Sequence, residues 1–308
     1  MVAHERECSD NSRPISGKNS RSFAFIRGLK LSDNMKRNFF HPIVSPPSRS
    51  GRAVSFRRSL GRRPPLHALR VERVERQEFA DYIREKIIYT LEPDLATVAW
   101  VCRPQKAGRW PAVLCCHGAG PGKDPLVGFW NGRECLEYHK NSAVRLARRG
   151  YVTLAPERRG FGECAERPYN QQFEQYLRAL DAFYLRTRGV SRVALDTWDM
   201  TRAVDVLTQR AEVDAERIGC LGVYDGATVA AGAAALDPRI KAVCVACPTD
   251  DLAPLRLVTP LPVQIQIAKA GPPAPRNLRW RHARRHVFDG VIEVDFPAMA
   301  DWMDRFLR

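Results

Sequence analysis

Asp214-Ala-Glu-Arg-Ile-Gly-Cys-Leu-Gly222-Val-Tyr224-Asp225-Gly226 reads as a strand, a sharp turn and the start of a helix. Arg217–Leu221 is the apolar run of a buried strand, and Ala227–Leu236 is an alanine-rich helix that follows almost at once. Between them Gly222 and Gly226 bracket Tyr224. A turn this tight is strained, and side chains two residues either side of its tip would collide. The glycines therefore leave Tyr224 standing alone above the end of the strand, with Asp225 beside it.

Working outward, the same alternation repeats. Pro111–Cys116 is a short apolar run that stops at His117-Gly118-Ala119-Gly120-Pro121-Gly122. Tyr138–Arg149 follows as a helix closed by Gly150, then a strand at Tyr151–Ala155. Val193–Arg210 is an amphipathic helix, Ile240–Ala246 and Val263–Ile267 are strands, and His286–Phe288 is a short last strand. Pro297–Leu307 closes the chain as a helix with proline in its first turn. Nearer the front, Lys86–Leu91 and Thr97–Cys102 read as strands, and the charged stretch Val71–Arg84 is compatible with a helix. Strands alternating with helices at this spacing predict an α/β fold, a mostly parallel twisted sheet with helices on both faces. The polar and aromatic stretch 158–189 is expected to cover the top of that sheet.

Residues 1–70 differ in composition from the rest. They hold fifteen Lys and Arg against four acidic residues, so most of the formal net charge of +15 lies there. Rich in Ser, Arg and Pro, they predict a disordered basic extension before a domain at 71–308. The acid-free stretch from Met35 to Arg70 resembles an organelle transit peptide, although Glu5, Glu7 and Asp10 precede it. Its aromatics are too sparse for a stacking platform, so no nucleic-acid partner is expected. No run of about 18 apolar residues exists, so no membrane span is expected. Several of the nine cysteines lie inside apolar runs, which suits buried thiols in a cytosol-like compartment better than a disulfide framework. Cys244 and Cys247 form a C-x-x-C without a second ligand pair, so no metal is expected. Gly118-x-Gly120-x-Gly122 lacks the spacing of a dinucleotide fingerprint, and no cofactor is expected.

Taken together, several segments give the stretch from Val71 onward a family likeness. They are Pro111–Gly118, Arg149-Gly-Tyr-Val, Arg159-Gly160-Phe161-Gly162, Trp198-Asp199 with Arg202-Ala203, Arg217–Gly226, Phe288-Asp289-Gly290 and Ala300-Asp301-Trp302. In order and spacing they resemble the acetyl-xylan-esterase and dienelactone-hydrolase branch of the α/β-hydrolase superfamily. The resemblance implies a nucleophilic serine at the tip of the elbow, which is Tyr224 here. It implies a histidine just after the last strand, where this chain has Ile292, and an acid after the penultimate strand, where Ala268–Pro275 holds no carboxylate. It also implies an oxyanion hole shared by the His117-Gly118-Ala119 loop and the backbone N–H of Asp225. The Asp225 carboxylate beside that hole is expected to repel a developing oxyanion.

Replacements for the missing groups are Tyr224 itself, Asp225 as a carboxylate nucleophile, and His286 on the last strand as a displaced base. His282, and Asp250 or Asp251 after Ile240–Ala246, are weaker candidates whose ordinary roles are solvated loop residues and helix caps. Two functions follow. One is a carboxylic-ester hydrolase acting on small esters or lactones with an unusual catalytic set. The other is a hydrolase-like protein that binds such a small molecule without hydrolysing it, or that does acid/base work through Tyr224.

Overall fold

The computed structural model describes residues 49–308 apart from 66, 131–132, 135–138, 166–172, 250–251, 253, 255–260, 272–282 and 291–292. Nine strands form one sheet in the order β1-β2-β3-β7-β4-β8-β9-β10-β11. They are β1 Val71–Glu78, β2 Tyr82–Glu92, β3 Leu95–Pro104, β4 Trp110–Cys116, β7 Val152–Pro156, β8 Val213–Val223, β9 Ile240–Ala246, β10 Val263–Ala268 and β11 Ala283–Phe288. A two-residue hairpin, β5 Phe129–Trp130 with β6 Arg133–Glu134, stands apart. From β7 to β11 every pairing is parallel, whereas β1, β2, β3 and β7 pair antiparallel. The expected α/β architecture is therefore present, with an antiparallel extension on one edge.

Strand periodicity sends alternate side chains to opposite faces, and each face has its own core. Ala112, Leu114 and Cys116 of β4 join the helices α4 (Arg192–Thr208) and α5 (Gly226–Leu236) on one side. Val113 and Cys115 join α2 (Ser142–Arg148) and α6 (Phe296–Leu307) on the other. Because β4, β8 and β9 are buried on both faces, their sequences read as continuous apolar runs. That is why they were legible from sequence alone.

Two sequence expectations fail at the front of the domain. Val71–Arg84 is not a helix: β1 fills most of it and β2 begins at Tyr82. The Val-Glu-Arg-Val-Glu-Arg repeat places valines three apart, which imitates a helix. As an edge strand exposed on both faces it needs no apolar alternation. The stretch ahead of Val71 also contributes to the domain. A helix, α1, spans Arg49–Ser59, and Phe56 and Leu60 are buried against Val190, Ala194, Leu195 and Trp198. Arg57 and Arg63 stack on the Trp198 ring at 5.6 and 5.3 Å. The boundary expected at residue 71 therefore lies too late. In the stretch 158–189, Arg158 and Arg159 are buried and the helix α3 spans Phe173–Arg188.

Candidate active site

The strand β8 ends at Val223, and Tyr224 takes a left-handed backbone with φ 57° before α5 starts at Gly226. Such a conformation costs a non-glycine residue roughly 1–3 kcal/mol and persists only where its surroundings enforce it. Those surroundings are visible. A Cβ on Gly222 would lie 2.6 Å from the Ala230 Cβ and 2.7 Å from the Ala227 Cα. A Cβ on Gly226 would lie 2.2 Å from the His117 carbonyl oxygen. The Tyr224 N–H is meanwhile donated to the Ala246 carbonyl on β9 at 2.9 Å. The turn predicted from two glycines is thus present, with a half-buried Tyr224 at its tip.

The contact between Gly226 and His117 brings the loop after β4 against the start of α5. Tyr224, Asp225, His117, Gly118 and Ala119 therefore share one end of the sheet, as expected. His117 is fully buried, and its Nδ1 lies 2.8 Å from the Gly118 carbonyl. Its Nε2 lies 3.1 Å from both the Arg158 backbone nitrogen and the Glu157 carboxylate, so the ring anchors the loop to the end of β7. The Gly118 N–H is donated to His139 Nε2 at 3.0 Å. Burial, with a contribution from His117, pushes the His139 pKa well below the usual histidine value, so this ring is a neutral acceptor. Among the described residues, the N–H groups of Ala119 and Asp225 donate no hydrogen bond, which leaves both available to a ligand oxygen.

Asp225 is held by a residue that sequence reading overlooked. Arg158, fully buried, donates Nη1 to Asp225 Oδ2 at 2.9 Å and to the His117 carbonyl at 3.1 Å. Its Nε is donated to Asp196 Oδ2 at 3.2 Å. Burial alone would lower the Arg158 pKa, but Asp225 and Asp196 outweigh it and raise the value well above normal. A charged guanidinium thus sits against the Asp225 carboxylate. The repulsion expected between that carboxylate and an oxyanion is correspondingly reduced, which corrects the sequence-based expectation. The same contact weakens Asp225 as a nucleophile, because Oδ2 is held by Arg158 and Oδ1 is buried. The available signal was the Arg158-Arg159-Gly160 run, in which two buried cations require buried carboxylates somewhere.

Neighbouring polar groups are structural. The Lys123 ammonium, fully buried, meets Asp124, Glu157 and Glu163 at 3.1, 3.2 and 2.5 Å. Glu157 fills the space that Cβ atoms on Gly122 and Gly162 would occupy, so it joins the loop after β4 to the loop after β7. Burial pushes the Cys116 thiol up to about 12, which leaves it protonated and unreactive at neutral pH. The two thiols of the C-x-x-C are separately engaged: Cys244 donates to Gln264 Oε1 and Cys247 to the Glu293 carbonyl, each at 3.3 Å.

His286 is not brought to the elbow. It sits in register with Gln266, Ala246 and Val223 across β11, β10, β9 and β8. Three strand spacings separate it from Val223, roughly 14 Å. Its Nε2 lies 2.7 Å from Asp295 Oδ2, the carboxylate that also caps α6. The displaced-base role proposed for His286 therefore fails: its partner is a helix cap, and it lies on the edge strand. His282, Asp250, Asp251 and Ile292 lie outside the described residues. Glu293, the residue after Ile292, is paired with Lys140 at 2.6 Å, directly beside His139 in the chain.

The model of the acetyl xylan esterase family matches residues 86–250, more than half of the chain and the whole segment from β2 through the elbow to β9. The chain belongs to the acetyl xylan esterase family. YtaP of Bacillus subtilis, which carries a hydrolase designation, is 29% identical over 204 residues, covering 64% of this chain and 63% of YtaP. The chain thus spans less than two thirds of the length of that relative. A glucuronoyl esterase from Solibacter usitatus superposes with a TM-score of 0.61 at 13% identity, covering 83% of this chain and 91% of that one. Acetyl xylan esterase 1 from Thermoanaerobacterium superposes with a TM-score of 0.56 at 16% identity, with the same two coverages. At such identities the two structures establish the fold alone. It is the α/β-hydrolase fold, here with a tyrosine at the tip of the elbow.

Proposed function

We propose that this family member binds a small ester or lactone at the elbow and has lost serine-type acyl transfer. The observation that carries the reading is Tyr224 at φ 57°, a phenol standing where the turn displays one side chain alone. A phenol has an ordinary pKa near 10 and needs an adjacent base to become a nucleophile. His117, His139 and His286 are each engaged elsewhere. His117 is committed to the loop, His139 Nε2 accepts the Gly118 N–H, and His286 lies on the far edge. What remains suits recognition: two undonated backbone N–H groups at Ala119 and Asp225 for a carbonyl oxygen.

A second reading has an observation of its own. The strained elbow is retained although no serine uses it, which would be expected if Tyr224 were itself catalytic. Turnover of p-nitrophenyl acetate by the full chain separates the two. The binding reading expects a rate no better than that of the denatured protein, no labelling by a fluorophosphonate, and a melting temperature raised by small lactones. A rate well above the blank that Tyr224→Phe abolishes and His286→Ala leaves unchanged would replace it with catalysis through Tyr224.

A further inference from the structure

The opposite end of the sheet carries a site that the esterase chemistry does not use. A cavity of about 480 Å³ opens where β4 and β8 begin, and its wall includes Arg109, Trp110, Arg148, Arg149, Arg217 and Arg308. Trp110 is the first residue of β4 and Cys116 the last, so the cavity and the His117 loop lie at opposite ends of one strand, roughly 20 Å apart. Nothing bound here can touch Tyr224.

The wall is chemically one-sided. Five of its side chains are guanidiniums, and no carboxylate belongs to it. The carboxylates that hold the arginines sit behind them. Arg148 meets Asp81 at 2.8 Å, and Arg217 meets Asp214 at 2.8 Å. Arg149 meets Asp301 at 2.8 Å and Asp304 at 2.7 Å, and Arg308 meets Asp304 at 3.1 Å. Four side-chain carboxylates, of Asp81, Asp214, Asp301 and Asp304, thus serve four of the five guanidiniums. Arg109 makes no ion pair within 4 Å among the described residues and donates to the Val213 carbonyl at 3.4 Å. Each paired arginine is anchored through one or two nitrogens, so others remain for a second acceptor. A guanidinium oriented from behind loses little freedom on meeting an anion in front.

The floor adds a second preference. The half-buried Trp110 belongs to the wall with Pro104 and Pro111, which gives it an apolar part. It also packs close to Gly150, where a Cβ would lie 3.4 Å from the indole and 2.9 Å from Arg308 Nη2. The indole therefore lies directly alongside the cations. The volume is that of a small-molecule pocket, too small for a folded partner.

We propose that this cavity binds a small organic phosphate monoester with a flat heteroaromatic body, the phosphate held by Arg109 and Arg148 and the ring laid against Trp110. The bidentate guanidinium fork matches phosphate oxygens, and the small volume suits a monoester. Phosphate alone forgoes the indole, and a nucleoside alone forgoes the arginines.

The test is titration calorimetry of the full chain with adenosine 5′-monophosphate, adenosine and inorganic phosphate, each at low and high salt. The expected result is saturable binding of the monophosphate, tighter than either fragment and weakened by salt. Arg109→Ala with Arg148→Ala should weaken it roughly tenfold or more, as loss of charge-assisted hydrogen bonds does. Arg186→Ala, which removes an exposed cation from α3, should not change it. The melting temperature of each ligand-free variant shows that folding is intact. Absence of saturable binding at millimolar monophosphate overturns the proposal. So does equal binding of inorganic phosphate, or an equal loss on Arg186→Ala.

Discussion

Adding a single methyl group to Gly226 tests whether the elbow is packed as described. The position has an ordinary backbone conformation, so Gly226→Ala carries no left-handed penalty. Its cost is steric. The new Cβ would lie 2.2 Å from the His117 oxygen, 2.8 Å from the His117 carbonyl carbon and 2.8 Å from the Cys116 oxygen. All three atoms belong to the backbone of β4 and its loop, which the sheet holds on both sides. Relief requires α5 to move away from β4, so the change falls at the upper end of overpacking costs, about 3 kcal/mol. For a domain of this size that lowers the melting temperature by roughly 6–12 °C. Gly189→Ala is the matched comparison. There φ is 65° but nothing lies within 4 Å of the new atom, so only backbone strain is added. That strain is roughly 1–2 kcal/mol. Thermal unfolding followed by circular dichroism measures both. If Gly226→Ala melts within 2 °C of wild type (about half a kcal/mol), or above Gly189→Ala, the packing of the elbow against the His117 loop is wrong.

Two further outcomes follow from the same structure. Burial raises the Glu157 pKa, but the hydrogen bond to His117 and the Lys123 charge outweigh it and lower the value below the ordinary 4.5. A depressed carboxylate adds stability above the unfolded value and loses it as pH falls through the folded one. Urea unfolding between pH 6 and 3 should therefore show a steep loss of stability below pH 4.5, flattened in Glu157→Gln. Phe56→Ala should destabilise by about 3 kcal/mol, because the ring is buried against Trp198 and Val190. An unchanged midpoint in guanidinium chloride would mean that α1 is not part of the domain.

The elbow was legible because glycine is a geometric statement. Gly222 and Gly226 mark places where no Cβ fits, and local sequence alone shows it. The parallel strands were legible because burial on both faces leaves unbroken apolar runs, as in Val-Leu-Cys-Cys of β4. β1 was missed because its burial is nearly nil, so its sequence records no face. Arg158 and His139 were missed for a different reason. Their meaning depends on partners 67 and 21 residues away, and no local pattern encodes such a distance. His286 was overvalued because chain proximity to the family histidine position says nothing about which face of the sheet a strand residue serves.

The left-handed backbone of Tyr224 has a sufficient cause within the fold. β8 delivers the chain to the top of the sheet, the Tyr224 N–H is tied to Ala246, and α5 is locked against β4 through Gly226. Relaxing φ at one residue would require breaking all three arrangements, which together outweigh strain of roughly 1–3 kcal/mol. The elbow therefore survives any change of the side chain at its tip, serine or not. Chemistry has to be judged from groups the fold does not dictate: a phenol at the tip, an arginine neutralising Asp225, and a buried neutral histidine accepting the Gly118 N–H. On the proposed reading these three form a polar recess that holds a carbonyl without attacking it.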